Sequence, residues 1–241
     1  MVPMHFLDRR LPRPVTDALR ATVLEDLPEL AHIRDEELRH KAVEAWAYAL
    51  AETDFPRISA IPGEATPGVF ALKRGSQAVH LRSVARISIA IADEFAQEFP
   101  EAIVDRDIVL AGALLHDVGK AWEFDPVNRR RWEADKSQAG SPALRHPVYG
   151  AHICIAVGLP EEVAHIALGH SYEGDLMHRS LECLIVHRAD HMWWSIAGGF
   201  GLLKAETAGM LETRKITPRA LRTAKDREGQ DDNGERADAA G

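Results

Sequence analysis

The sequence predicts an all-α fold. Two observations carry that prediction. Apolar residues recur at helical rather than alternating spacing through most of the chain, and Asp, Pro and Gly stand where helices would start and stop. No set of alternating strand-like segments and no repeat of fixed period interrupts the pattern.

The elements follow in order. Residues 1–35 are mixed and punctuated by proline. Arg39 to Glu52, RHKAVEAWAYALAE, places Ala, Trp and Leu at helical spacing. Thr53 to Gly75 holds three prolines and three glycines, a long irregular connection that suits either a functional lid or a surface loop. Gln77 to Glu98 predicts a helix with His80, Val84, Ile87 and Ile91 on one inward stripe. Asp105 or Asp107 caps the next helix, which runs to about Asp117. Residues 123–145 are charged and loop-like. Pro147 stands at the start of a further helix that Gly158 closes. Pro160 with Glu161 and Glu162 opens PEEVAHIALGH, and SLECLIVHRADHMWWSIA is a last helix that stops near Gly198 and Gly199. From about Arg222 the chain turns polar and glycine-containing, as disordered segments do. The expected organisation is an N-terminal helical extension and long loop (1–75), a helical core (76–212) and a flexible polar C-terminal tail (213–241).

Composition narrows the function classes. The chain has 241 residues, 46% of them apolar, enough for a sizeable core. Its net charge of −8 argues against the clustered Lys and Arg of a large phosphate-backbone footprint, so no polymeric nucleic acid partner is expected. Cys154 and Cys183 make no disulfide framework and no metal knuckle, and suit a reducing compartment. The N-terminus, MVPMHFLDRRLPRP, lacks a signal-type apolar region, and no apolar run is long enough to span a bilayer. A cytoplasmic location without a membrane partner is the expectation.

The informative residues are polar ones on apolar stripes. His80 shares a face with Val84, Ile87 and Ile91. His116 follows Val109, Gly112 and Ala113 at helical offsets, and His170 follows Val163, Ile166 and Ala167 in the same way. His165 points elsewhere, being roughly 140° from His170 on a helix. Asp190 falls with Cys183, Val186, Trp193 and Trp194, and His146 stands at a helix entrance before Pro147. One inward histidine is ordinary core. Four imidazoles and two carboxylates converging in an all-α core are most simply explained by bound divalent transition metal, with Fe, Mn, Zn or Ni suited to such ligands. His116 and Asp117 differ by about 100° in direction. One metal could use both, or two metals could share them with Asp117 as the bridge.

The ordered set His80, His116-Asp117, His146, His170, Asp190 resembles the HD superfamily of metal-dependent phosphohydrolases over roughly residues 76–200. LLHDVGK matches the central motif and IVHRAD looks like the closing aspartate motif. HPVYGA and LGHSYEGD are similar to the third and fourth elements of two-metal members. The resemblance implies an HD-domain helical bundle with a metal site, of two ions, in its core. It implies that His80, His116, Asp117 and Asp190 are ligands, that His146 and His170 are the additional ligands of the two-metal branch, and that Asp117 bridges. His152 competes with His146 for the third histidine position, and His187, one turn before Asp190, could support the ligands. Lys120, at the HD-x-x-K position, matches a phosphate-contacting residue. The Gly-Tyr-Pro that follows the fourth element in some relatives is absent, which argues against cyclic-di-GMP as the substrate.

The expected activity is hydrolysis of a phosphoester or phosphoanhydride in a small phosphorylated metabolite or nucleotide, with Asp117 and Lys120 as the catalytic residues. Arg82, one turn from the His80 face, and Lys73 and Arg74, ending the long loop, are candidates for substrate phosphate, although solvated charge explains them as well. Trp193 and Trp194 suit apolar packing better than a nucleobase, and AGGFG reads as a helix stop. Two alternatives stand beside hydrolysis. The same ligand set serves di-iron oxygenases similar to myo-inositol oxygenase, which cleave C–C or C–P bonds, but RGSQAVH lacks the tyrosine-bearing lid of the phosphonate-cleaving members. The other alternative is a nucleotide-binding module without catalysis.

Overall fold

The computed structural model describes residues 12–208. The expected polar tail, 213–241, lies outside the described residues. The described secondary structure is helical, apart from isolated bridges, as the apolar spacing predicts. The helices are α1 (Asp17–Asp26), α2 (Glu36–Ala51), α3 (Gln77–Glu98), α4 (Arg106–Leu115), α5 (Lys120–Phe124), α6 (Pro126–Ala134), α7 (Lys136–Ala139), α8 (His146–Ala156), α9 (Glu161–Gly169) and α10 (Leu181–Gly199). The chain divides into two compact units.

The first unit holds the described residues up to Gly63 together with Gly75–Asp190. Caps set its helix starts. Thr16 accepts from the Leu19 N–H, Asp35 from Leu38, and Asp105 from Asp107 and Ile108. Of the two candidate caps for α4, then, Asp105 is the cap. Asp107 instead accepts from the backbone of Arg34 and Asp35, tying α4 to the start of α2. α4 is buried from Asp107 to Leu115, packed against α3, α9 and α2. Trp46, fully buried on α2, donates its indole N–H to the Leu114 carbonyl at 2.9 Å, which pins the C-terminal end of α4. α8 and α9 form a hairpin; Gly158, with φ of +75°, makes the left-handed turn that closes α8.

Two expectations need correction. The inward stripe of α3 runs through Gln77, Leu81, Val84, Ser88 and Ala92, with His80 beside it, whereas Ile87 and Ile91 are only half-buried. Residues 123–145 are not all loop, because α5, α6 and α7 occupy most of 120–139. The signal lay in Asp125-Pro126, where the aspartate accepts from the Asn128 N–H and proline takes the first helical position. Within 1–35, α1 and a 3-10 turn at Pro28–His32 are regular structure. Thr53 to Gly75 is irregular apart from a 3-10 turn at Ile58–Ala60 and isolated bridges.

The second unit takes Glu64–Arg74 and the described residues from His191. Leu72, Trp194, Ala197 and Leu203 form its buried cluster, with Phe70 and Trp193 packed against them. The strap at 70–73 pairs antiparallel to 202–207. Lys73 N–H donates to the Leu202 carbonyl, and Lys204 N–H to that of Ala71, both at 2.8 Å. The tryptophans thus sit in apolar packing, and α10 stops at Gly199.

Candidate metal centre

Helix ends deliver most of the site. His80 lies in the first turn of α3, His116 caps the C-terminus of α4, and Asp117 stands in the tight turn between α4 and α5. His146 is the first residue of α8 and His170 caps the C-terminus of α9. Asp190 comes from within α10. All six are buried, and all belong to the first unit. Gly119 allows this convergence. A Cβ there would lie 2.2 Å from the His146 carbonyl oxygen and 2.7 Å from the Gly150 nitrogen, so only glycine lets the turn after Asp117 reach the start of α8.

The Asp117 carboxylate stands between two histidine pairs. Its Oδ2 lies 3.4 Å from His80 Nε2 and 3.2 Å from His116 Nε2. Its Oδ1 lies 3.3 Å from His146 Nε2 and 3.5 Å from His170 Nε2. Asp190 Oδ1 is 3.2 Å from His80 Nε2 and 4.0 Å from His116 Nε2. Two further groups reach Asp117 Oδ2: Lys120 Nζ and Gln77 Nε2, each at 2.7 Å.

Hydrogen bonds on the far side of the rings set their tautomers. The Ala113 carbonyl takes Nδ1 of His116 and the Ala167 carbonyl takes Nδ1 of His170, both at 2.8 Å. A carbonyl only accepts, so the proton sits on Nδ1 and the Nε2 lone pair faces the cluster. Glu123 holds Nδ1 of His146 in the same sense. His187 Nδ1 lies 2.6 Å from the His170 carbonyl, one step behind the cluster. Imidazole lone pairs and carboxylates crowded into one buried space repel one another unless a cation lies among them. Two overlapping triplets, His80–His116–Asp190 and His116–Asp117–His170, each bring their ligand atoms within 4.8 Å of one another. This donor set fits divalent metal of the imidazole- and carboxylate-preferring kind.

Electrostatics prepare the same groups. Burial works to raise the Asp117 carboxyl, but the Lys120 ammonium on its Oδ2 outweighs it and holds it well below the usual carboxylate range. Asp190 is likewise held low by His80 against burial. Burial lowers His146 more than Glu123 and Asp117 raise it, leaving the neutral imidazole favoured. Ionised carboxylates and neutral imidazole are the metal-binding forms.

The structure brings His146, not His152, to the cluster; His152 is exposed, its ring against Tyr149. His165 is half-buried and accepts the Ser180 N–H. Of the phosphate candidates, Arg82 belongs to the first unit and Lys73 and Arg74 to the second. Arg82 is about 200° round α3 from His80. Its Nε lies 3.1 Å from both oxygens of Glu29, which Arg86 also engages. Lys73 and Arg74 are exposed residues of the second unit, and Lys73 Nζ donates to the Gly201 carbonyl at 2.7 Å. Two site residues escaped sequence reasoning. Gln77 lies one turn before His80, a spacing that could have revealed it. Glu123 falls in a stretch that reads as loop, and nothing in its spacing marks it.

The family model described as HD domain matches residues 78–192, a span that contains all six clustered residues. No curated protein and no solved structure matches the chain. Among the described residues no helix is long and apolar enough to cross a membrane.

Proposed function

We propose, from the premise that the chain belongs to the HD-domain family through residues 78–192, that it is a metal-dependent phosphohydrolase or phosphodiesterase. Its substrate is a small phosphorylated metabolite or nucleotide. The family consists mostly of metal-dependent hydrolases. The observation that carries the finer reading is the division of Asp117, one oxygen toward His80 and His116 and the other toward His146 and His170, with Lys120 on the same carboxylate.

His80, His116, Asp117 and Asp190 would hold one divalent ion, and His146, His170 and Asp117 a second. When bound, such ions supply Lewis acidity toward phosphoryl oxygen and lower the pKa of a water. The chain's own residues do the rest. The Nδ1 contacts keep the imidazoles of His116, His146 and His170 aimed inward. Lys120, with its Nζ on Asp117, carries the cation nearest the cluster and neutralises charge that gathers on a phosphoryl group. Gln77 fixes Asp117 Oδ2 from the other side. The chain's acidic balance favours a small substrate over a nucleic acid polymer.

Elemental analysis of the purified protein, followed by a phosphatase and phosphodiesterase panel run under air and under nitrogen, tests this. Stoichiometric transition metal with turnover that persists under nitrogen is the expected result. Activity that requires dioxygen would replace hydrolysis with the oxygenase reading. Tight nucleotide binding without turnover would leave a binding module.

A further inference from the structure

Glu123 is a fully buried carboxylate in α5 that the chemistry above does not use. Its Oε2 engages Nδ1 of His146, and its Oε1 takes a hydrogen bond from Arg145 Nη1 at 2.9 Å. Arg145 continues to Glu173 in the 3-10 turn after His170, Nε to Oε1 at 3.2 Å. A chain of charges therefore runs from a part-exposed glutamate through Arg145 and Glu123 to a cluster histidine.

His116, His170 and His146 are not backed alike. His116 and His170 lean on neutral carbonyls, and both contacts arise within their own helix ends. His146 is the first residue of its helix, with no preceding turn to offer a carbonyl, and leans on an ionised side chain from another helix. An anionic acceptor makes a stronger hydrogen bond to the ring N–H and raises the basicity of the opposite nitrogen. The Arg145 guanidinium, 2.9 Å from Oε1, supplies the countercharge that a buried carboxylate needs.

We infer that Glu123 is a positioning residue for the metal position formed by His146, His170 and Asp117 Oδ1, and that its charge makes this position unequal to the one formed by His80, His116 and Asp190. Arg145 and Glu173 keep Glu123 in place. This inference rests on the metal reading under Proposed function. A buried ion pair of purely structural value is the competing account, and it predicts no difference between the two positions.

Zinc binding to the full chain, measured by competition with a chromophoric chelator, separates them. Glu123→Gln keeps the size and removes the charge. The expected result is one zinc weakened by roughly 10–100-fold with the other unchanged. Glu52→Gln serves as the structural control, since Glu52 is also a buried carboxylate but accepts from the Tyr149 hydroxyl rather than from a cluster residue. Both zinc affinities should survive that change. Wild-type affinity for both ions in Glu123→Gln overturns the inference, as does an equal loss at both positions that Glu52→Gln reproduces. A wild-type chain that binds no zinc overturns the metal reading itself, and this inference with it. Should Glu123→Gln fail to fold, proton NMR of the zinc-loaded wild type decides. The His146 Nδ1 proton is expected downfield of those of His116 and His170, and coincidence with them refutes the inference.

Discussion

Asp117 Oδ2 lies 3.2 Å from His116 Nε2, and its Oδ1 lies 3.3 Å from His146 Nε2. One side chain thus joins the end of α4 to the start of α8. Asp117→Asn keeps the shape but removes the charge that both histidine pairs share. The variant should lose bound metal at both positions, with a lower melting temperature than the metal-loaded wild type. A ligand at about 100 times its dissociation constant stabilises a fold by about 2.7 kcal/mol. Chelation of the wild type should reproduce most of that drop. Full metal content in Asp117→Asn would contradict the shared-carboxylate geometry.

Lys120 is nearly fully buried with its ammonium on Asp117. If it neutralises substrate charge, Lys120→Met lowers kcat by about 10²–10³-fold, the range for loss of one preorganised electrostatic donor. Metal content should stay near wild type because the imidazoles remain. Loss of metal with no separate effect on kcat in the metal-loaded variant would assign Lys120 to holding Asp117 alone.

Gly119 faces backbone rather than side chain. A methyl group there must displace the His146 carbonyl, which lies 2.2 Å from the position it would take. Gly119→Ala should destabilise the fold by about 1–3 kcal/mol, as overpacking of a close contact does, and reduce metal retention because His146 moves with its own carbonyl. Chemical denaturation with parallel metal analysis checks both. An unchanged midpoint would mean that the turn can slide away from α8.

Acid stability should depend on Asp26. Burial acts to raise its carboxyl, but Arg57 and the Ser59 N–H hold it below the usual value. The folded pKa is lower than the unfolded one, about 3.9, so the ionised form is the one the fold prefers. That contribution is present above about pH 3.9 and is lost as pH falls through the folded value. Asp26→Asn should therefore melt below wild type near neutrality, and the gap should narrow in melts run at progressively lower pH below about 4. A gap that stays constant across that range would show that lost packing, not charge, is responsible.

Much of the molecule was legible before any coordinates. The helices at 77–98, 146–156 and 161–169 follow from periodicity, proline and glycine. His80, His116, His146, His170 and Asp190 stood out because polar groups on apolar stripes need a reason. The local misreadings have physical causes. At Asp125-Pro126 the cap and N1 signals were present, but the charged residues around them carry too little apolar periodicity to announce a helix. On α3, a small-residue stripe of Ala and Ser buries more completely than the larger Ile87 and Ile91, because close helix packing favours small side chains where helices meet.

The sequence by itself determined the helical class and the roster of residues able to bind metal, since both are written in spacing and side-chain type along one dimension. Only the tertiary structure decided the rest. It chose His146 over His152, put Gln77 on Asp117 and Glu123 behind His146, and turned Arg82 away to Glu29. Each of those is a contact between distant segments, and such contacts depend on how helices cross. No local pattern encodes that crossing; the packing of α4 among α2, α3 and α9 does.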